Sequence, residues 1–248
     1  MKRWIAGAVV CWATVAGAYE APAGNPPQAA QVTAAARPAS LGQLAVQLVE
    51  REAEIKELKT LLAESDERKW LSRADDLGVV EAMGRYGFTE KQKRRLAISI
   101  VKEAHANGID PLLVVAVIRC ESSFNPLAVS HVGAMGLMQV MPDTGKWLAE
   151  KRGYDLGRTQ NLHDTELNIE LGTAYLASLI VQFGTVEHAL VAYNAGPGAA
   201  KKILANREVR KTFIAGYPKK VVGEFKKLKA RAEQNLAKRV ASKLVNAG

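Results

Sequence analysis

From Thr89 onward the apolar positions recur with the 3.6-residue period of a helix, and no segment alternates with the two-residue period of a strand. Thr89 with Gln92 three residues later makes a capping box. Leu96, Ile100, Val101 and Ala104 then line one face, and Gly108 stops the segment. Asp110-Pro111 opens the next helix, the cap first and proline at the first helical position. Its body, "LLVVAVIRCE", is apolar nearly all round, which predicts the buried central helix of a domain. Further helices are predicted at about 142–152, 164–183 and 186–194, with short ones across 197–213. Leu171, Tyr175, Leu176, Leu179 and Phe183 give the long one its core face. The predicted class is all-α.

Two further helices flank this region. Leu41, Leu48, Ile55 and Leu62 recur every seven residues, with Leu44 and Leu58 between them and Arg51 breaking one position. Such a pattern fits a short coiled coil or an amphipathic helix packed on its own domain, and the pattern alone leaves both open. Residues 66–88 are mixed and charged and read as a connector with some helix. The last thirty residues repeat Val222, Phe225, Leu228, Ala232, Leu236 and Val240, with Lys and Arg on the other faces. That is a basic amphipathic helix, which either docks by its stripe, lies on an acidic surface or stands free.

The N-terminus changes the picture of where the chain works. Lys2 and Arg3, an apolar run from Trp4 to Val15 and Ala16-Gly17-Ala18 follow the order of a secretory signal, residues 1–18. The run is too short to span a bilayer, which takes ~20 apolar residues. Residues 19–40 are rich in Pro and Ala and read as a flexible linker. The expected layout is signal 1–18, linker 19–40, helical extension and connector 41–88, a compact helical domain 89–220 and tail helix 221–248, in an exported protein. Cleavage removes Cys11 and leaves Cys120 alone, so the fold stands without an internal disulfide. Cys120 reads as a buried thiol, because residues adjacent on a helix, such as Arg119, point elsewhere and do not activate it.

Charge is unevenly placed. The chain carries a formal +9, but residues 201–248 hold 14 Lys+Arg against 3 Asp+Glu, and residues 19–200 are net acidic. The basicity is therefore a property of the tail, which argues against a general nucleic-acid surface.

The candidate chemistry sits at Glu121. This residue ends the apolar helix and is followed, from Ser122 to Pro142, by a segment without Asp, Glu, Lys or Arg. A helix C-terminus is partially negative, and apolar neighbours exclude water. Both raise a carboxyl pKa and hold the proton that a general acid must donate. A structural glutamate capping a loop amide is the competing reading. Gly133, Gly136, Ala128 and Ala134 keep the loop narrow, and Asn125, Ser130 and Gln139 offer neutral groups that suit sugar hydroxyls. Met138 and Met141 offer apolar walls.

The stretch "ESSFNPLAVSHVGAMGLMQVMPDT" resembles the catalytic signature of the soluble lytic transglycosylase family, and "LNIELGTAYLASL" and "ALVAYNAGPG" resemble two further family motifs in the same order. The resemblance runs from about residue 95 to 220. It implies a lysozyme-like helical domain that cleaves peptidoglycan glycan strands between N-acetylmuramic acid and N-acetylglucosamine. It also implies a one-carboxylate mechanism, where most glycosidases use two. Glu121 protonates the glycosidic oxygen, then acts as base on the sugar's C6 hydroxyl, which closes onto C1 to give a 1,6-anhydromuramic end. By the same resemblance Ser130, Gln139 and Met141 line the saccharide groove, and Tyr193 and Asn194 face the catalytic helix. Tyr217 matches a groove tyrosine, although "FIAGY" replaces the polar stretch that usually precedes it. Asp143, the nearest other acid in sequence, reads as a helix N-cap.

Other chemistries find little support. His105, His131, His163 and His188 lack metal-ligand spacing, and "GPGAAKK" lacks phosphate-loop spacing, so no metal or cofactor is expected. Two alternatives remain: a muramidase of lysozyme or chitinase type with a second carboxylate, and a wall-binding or secretion-apparatus adaptor with weak catalysis. The adaptor would work through its heptad helix, residues 41–62, by self-association or a protein partner. Its basic tail would contact the envelope electrostatically.

Overall fold

The computed structural model describes residues 40–84 and 86–246. The expected signal sequence, Cys11 and the linker up to residue 39 lie outside the described residues. The chain separates into two compact units, Met1–Glu52 and Ala53–Gly248. In the first, the described residues are the start of helix α1 (Leu41–Asp76), and all of them are exposed.

The second unit holds the remainder of α1 and the helices α2 (Val79–Ala82), α3 (Glu90–Ala106), α4 (Pro111–Glu121), α5 (Pro142–Lys151), α6 (Thr165–Phe183), α7 (Val186–Ala195), α8 (Pro197–Ala205), α9 (Arg207–Ala215) and α10 (Tyr217–Asn246). A 3-10 turn covers Thr159–His163. No strand longer than an isolated bridge occurs among the described residues. The class is all-α, as the periodicity predicts.

The local start and stop chemistry is as read. Thr89 and Gln92 close a reciprocal capping box on α3. Asp110 caps α4 through its side chain, which accepts from the Leu112 amide at 2.9 Å, and Pro111 follows at the first turn. Every residue from Leu112 to Ile118 is buried. Helix α4 is therefore the axis of the core: α10 packs along it most extensively, with α3 and α2 also against it, while α6 pairs with α7 and α3.

Three elements differ from expectation. Asp143 is not the cap of α5: Met141 occupies that position and Pro142 takes the first turn, because proline's fixed φ sets where the helix can begin. Helix α1 runs on to Asp76, through what was read as a connector, since residues 63–76 contain neither Gly nor Pro to stop it. The boundary at 220/221 falls inside α10, which is continuous from Tyr217. Val221 and Leu228 are buried in the main core, and Val222, Phe225 and Ala232 are partly buried on it. Beyond Ala232 the stripe emerges, and Leu236 and Val240 are about half exposed at 48% and 50%. On α1 the heptad residues Leu41, Leu48, Ile55, Leu58 and Leu62 are all exposed.

Candidate active site

Glu121 is the last residue of α4, and the chain turns sharply after it. Ser123 and Phe124 both take left-handed backbone conformations, with φ of 50° and 64°. Such angles cost non-glycine residues about 1 kcal/mol or more each and persist because the surroundings enforce them. Phe124 is 2% exposed and stacks on Tyr86 with ring centroids 4.6 Å apart. Ser122 donates its hydroxyl to the Leu137 carbonyl at 2.8 Å, tying the helix end to the far side of the loop.

The loop itself is laced by backbone. Met135 and Val140 exchange two hydrogen bonds of 3.0 Å, the Gly136 amide donates to the Ala128 carbonyl at 2.9 Å, and the Ala134 amide donates to Ser130 Oγ at 2.9 Å. Gln139 sits at φ 50° and donates its side-chain amide to the carbonyls of Gly136 (2.9 Å) and Ala128 (3.2 Å). Its side-chain carbonyl oxygen makes neither of these bonds. Met141 is 41% exposed at the start of α5, whereas Met138 is fully buried and is core, not wall.

Tyr217, the first residue of α10, donates its hydroxyl to Glu121 Oε1. Burial of Val221 and a 2.7 Å ion pair between Arg119 and Glu224 fix α10 against α4 and set this register. Burial pushes the Glu121 carboxyl above the usual carboxylate range, while the Tyr217 hydrogen bond and the Lys220 charge pull it partly back. Among the described residues, no second carboxylate is among the groups that perturb it. Tyr217 and Tyr193 are both held far above the ordinary phenol value, by burial first and by the Glu121 charge second, so both remain neutral donors. Tyr193 gives its proton to the Met138 carbonyl at 2.7 Å and packs on Tyr175, ring centroids 5.5 Å apart. Asn194 lies beside it on α7, exposed. The structure thus brings Glu121, Tyr217 and Tyr193 together, with Gln139 next to the carbonyl that Tyr193 holds. Ser130 is engaged within the loop.

Residues 98–214 match the family model described as "Transglycosylase SLT domain". Over these residues the chain resembles a transglycosylase SLT domain. Similar proteins include membrane-bound lytic murein transglycosylase C of Sodalis glossinidius, 35% identical over 138 residues, or 49% of this chain and 37% of that one. The Salmonella typhi protein of the same name is 38% identical over 124 residues, covering 46% and 34%. Among solved structures, the 70 kDa soluble lytic transglycosylase of Escherichia coli aligns with a TM-score of 0.48 at 27% identity, over 66% of this chain and 29% of that one. The chain spans about a third of the length of the curated relatives it matches.

One residue that supports the site does not stand out from the sequence. Asn168, within "LNIELGTAYLASL", is fully buried, and its side chain bonds to backbone of the loop that follows α4 and of the 3-10 turn. The available signal was an amide on the apolar face that Leu171 and Tyr175 continue. Cys120, next to Glu121, is partly buried, and burial raises its thiol pKa, which keeps it protonated and unreactive.

Removing the Tyr217 hydroxyl has a signed consequence. Its hydrogen bond favours the ionised form of Glu121, so Tyr217→Phe raises the carboxyl pKa further. In a pH profile of kcat/KM, the limb on which activity falls as Glu121 loses its proton moves to higher pH. A hydrogen bond to a charged group is worth about 1.5–3 kcal/mol, so the step in which Glu121 gives up its proton and becomes a carboxylate slows roughly ten- to hundredfold. An unmoved limb would contradict the assignment.

Proposed function

We propose that this chain is an exported peptidoglycan lytic transglycosylase. It breaks the β-1,4 bond between N-acetylmuramic acid and N-acetylglucosamine and leaves a 1,6-anhydromuramic end, with Glu121 as the single acid/base. The observation that carries the reading is the balance at Glu121. Burial keeps its proton for the first half of the reaction, and Tyr217 and Lys220 stabilise the carboxylate for the second. An acid/base works best with a pKa near the operating pH, and the net direction at Glu121 is upward from the ordinary glutamate value. The names of the relatives point to the same chemistry.

The steps balance without water. Glu121 gives its proton to the glycosidic oxygen as the C1–O bond breaks. The resulting carboxylate takes the proton of the muramic C6 hydroxyl as O6 bonds to C1, and Glu121 is protonated again. Ser130, Gln139, Met141 and Asn194 line the saccharide groove, with Tyr193 and Tyr217 beside the acid. A lone carboxylate is what this route needs, whereas a muramidase needs a second to handle water. Digestion of purified sacculi, with mass analysis of the muropeptides, tests the reading. Anhydro-ended products are expected, and reducing ends alone would assign a hydrolase.

The substrate lies outside the cytoplasmic membrane, which suits a periplasmic enzyme released by a signal at residues 1–18. The exposed lysines and arginines of residues 201–248, of which Lys211, Lys229 and Arg231 also pair within the chain, contact acidic groups of the envelope. Retention on sacculi should therefore weaken as ionic strength rises, and salt-independent retention would exclude this role. The exposed heptad residues of α1 support self-association of the chain through residues 41–62. Sedimentation should show a larger species that Ile55→Glu with Leu58→Glu dissociates; a wild-type monomer at high concentration would refute it.

A further inference from the structure

Asn168 is fully buried on α6 in an otherwise apolar neighbourhood, where a leucine would fill the space without needing partners. Its amide is instead used three times. Oδ1 accepts from the Met138 amide at 2.7 Å, and Nδ2 donates to the carbonyls of Met135 at 2.9 Å and Leu162 at 2.8 Å. Each bond reaches backbone, so together they specify a chain path rather than a side-chain rotamer. A fully satisfied buried network of this kind selects one conformation, and a partly satisfied one does not.

Met138 is held from every other side as well. Its carbonyl accepts the Tyr193 hydroxyl from α7, and its sulfur accepts the buried Thr173 hydroxyl at 3.7 Å. Its Cβ lies so near Gly172 that a Cβ added there would come within 2.7 Å of it. The next residue, Gln139, is left-handed, a conformation that lasts only where neighbours over-determine it.

We infer that Asn168 is a positioning residue: by clamping the Met138 peptide between α6 and Tyr193 it fixes Gln139 and the loop in register with Glu121. The inference rests on the transglycosylase reading for its kinetic arm only. Without the clamp Gln139 relaxes to negative φ, its side chain leaves the Ala128 and Gly136 carbonyls, and the saccharide loses its ordered wall. Glu121, held by α4 and Tyr217, stays in place. Affinity is therefore the property that suffers most.

Asn168→Ala is compared with Leu171→Ala, which empties the same helix's core face without removing a hydrogen bond to the loop. Kinetics are measured on soluble glycan strands at temperatures where circular dichroism shows each variant fully folded. Asn168→Ala is expected to raise KM at least about tenfold with a smaller fall in kcat, while Leu171→Ala lowers the melting temperature and leaves both constants within about twofold. A second arm needs no turnover. Binding of an N-acetylglucosamine tetramer to Glu121→Gln, with and without Asn168→Ala, is expected to weaken about tenfold. If Asn168→Ala does not fold, Asn168→Asp, which keeps the acceptor for Met138, is used in both arms and should show a partial loss. Unchanged KM and unchanged tetramer affinity in the folded variant overturn the inference, as does an equal KM rise in Leu171→Ala. A wild-type protein that binds the tetramer but releases no anhydro ends overturns the transglycosylase reading and leaves the positioning role standing.

Discussion

Glu121→Gln is expected to lower kcat/KM by at least about a thousandfold, within the range of about 10²–10⁴ that a positioned acid or base contributes, compounded here by use in both halves of the reaction. Glutamine keeps the shape and can still accept the Tyr217 hydroxyl, so the fold is retained. The same substitution should make the protein more stable near neutrality, and the sign follows from linkage. Burial sets the folded pKa of Glu121 above its unfolded value. The proton is held more tightly in the folded state, and the stability this provides is complete below the unfolded value and is lost as pH rises through the folded one. Above that point an ionised, poorly solvated carboxylate opposes folding. The melting temperature of Glu121→Gln should exceed that of wild type at pH 7, and the gain should shrink towards zero below about pH 4, the ordinary glutamate range. Loss of activity together with loss of stability at pH 7 would indicate a structural glutamate, the competing reading of this position.

Gly136→Ala is expected to be the most destabilising single-methyl change in the loop. Gly136 sits at φ +78°, and a Cβ there would lie 2.3 Å from Asn168 Nδ2 and 2.4 Å from the Leu162 carbonyl. Contacts that short force the Asn168 amide out of the three bonds that organise the loop. The left-handed conformation costs an alanine roughly 1–2 kcal/mol, and an unsatisfied buried polar group costs about 1–3 kcal/mol more. A total of about 2–5 kcal/mol is a large part of a typical domain's 5–15 kcal/mol. Gly133→Ala isolates the backbone share: Gly133 is at φ +87° with nothing within 4 Å of an added Cβ. Thermal melts should place Gly133→Ala modestly below wild type, by the backbone share alone, and Gly136→Ala well below both. Equal melting temperatures for the two would mean that Asn168 yields without loss.

What could be read from sequence divides by the range of the interactions involved. The caps at Thr89 and Asp110, the burial of α4 and the position of Glu121 at its end depend on neighbours within a turn or two, and they appear in the chain as written. Asp143 is not the cap because Pro142, with its fixed φ, already occupies the first turn and moves the cap back to Met141. The length of α1 was underread because the heptads end at Leu62, while nothing that breaks a helix follows until Gly78. Tyr217 looked doubtful because "FIAGY" lacks the usual polar residues before it. Its place against Glu121 is set from the other side, by Val221 and the Arg119–Glu224 pair. Asn168 was invisible as a loop anchor because its partners Met138 and Met135 lie 30 and 33 residues away. No local pattern encodes a contact of that span.

The proton on Glu121 is the claim on which the reading depends most. Carbon-detected NMR titration of glutamate carboxyls, with Glu121 assigned by difference from Glu121→Gln, measures it in the folded protein. The account predicts a midpoint above the ordinary glutamate range, moving higher still in Tyr217→Phe. A midpoint at or below that range would contradict it.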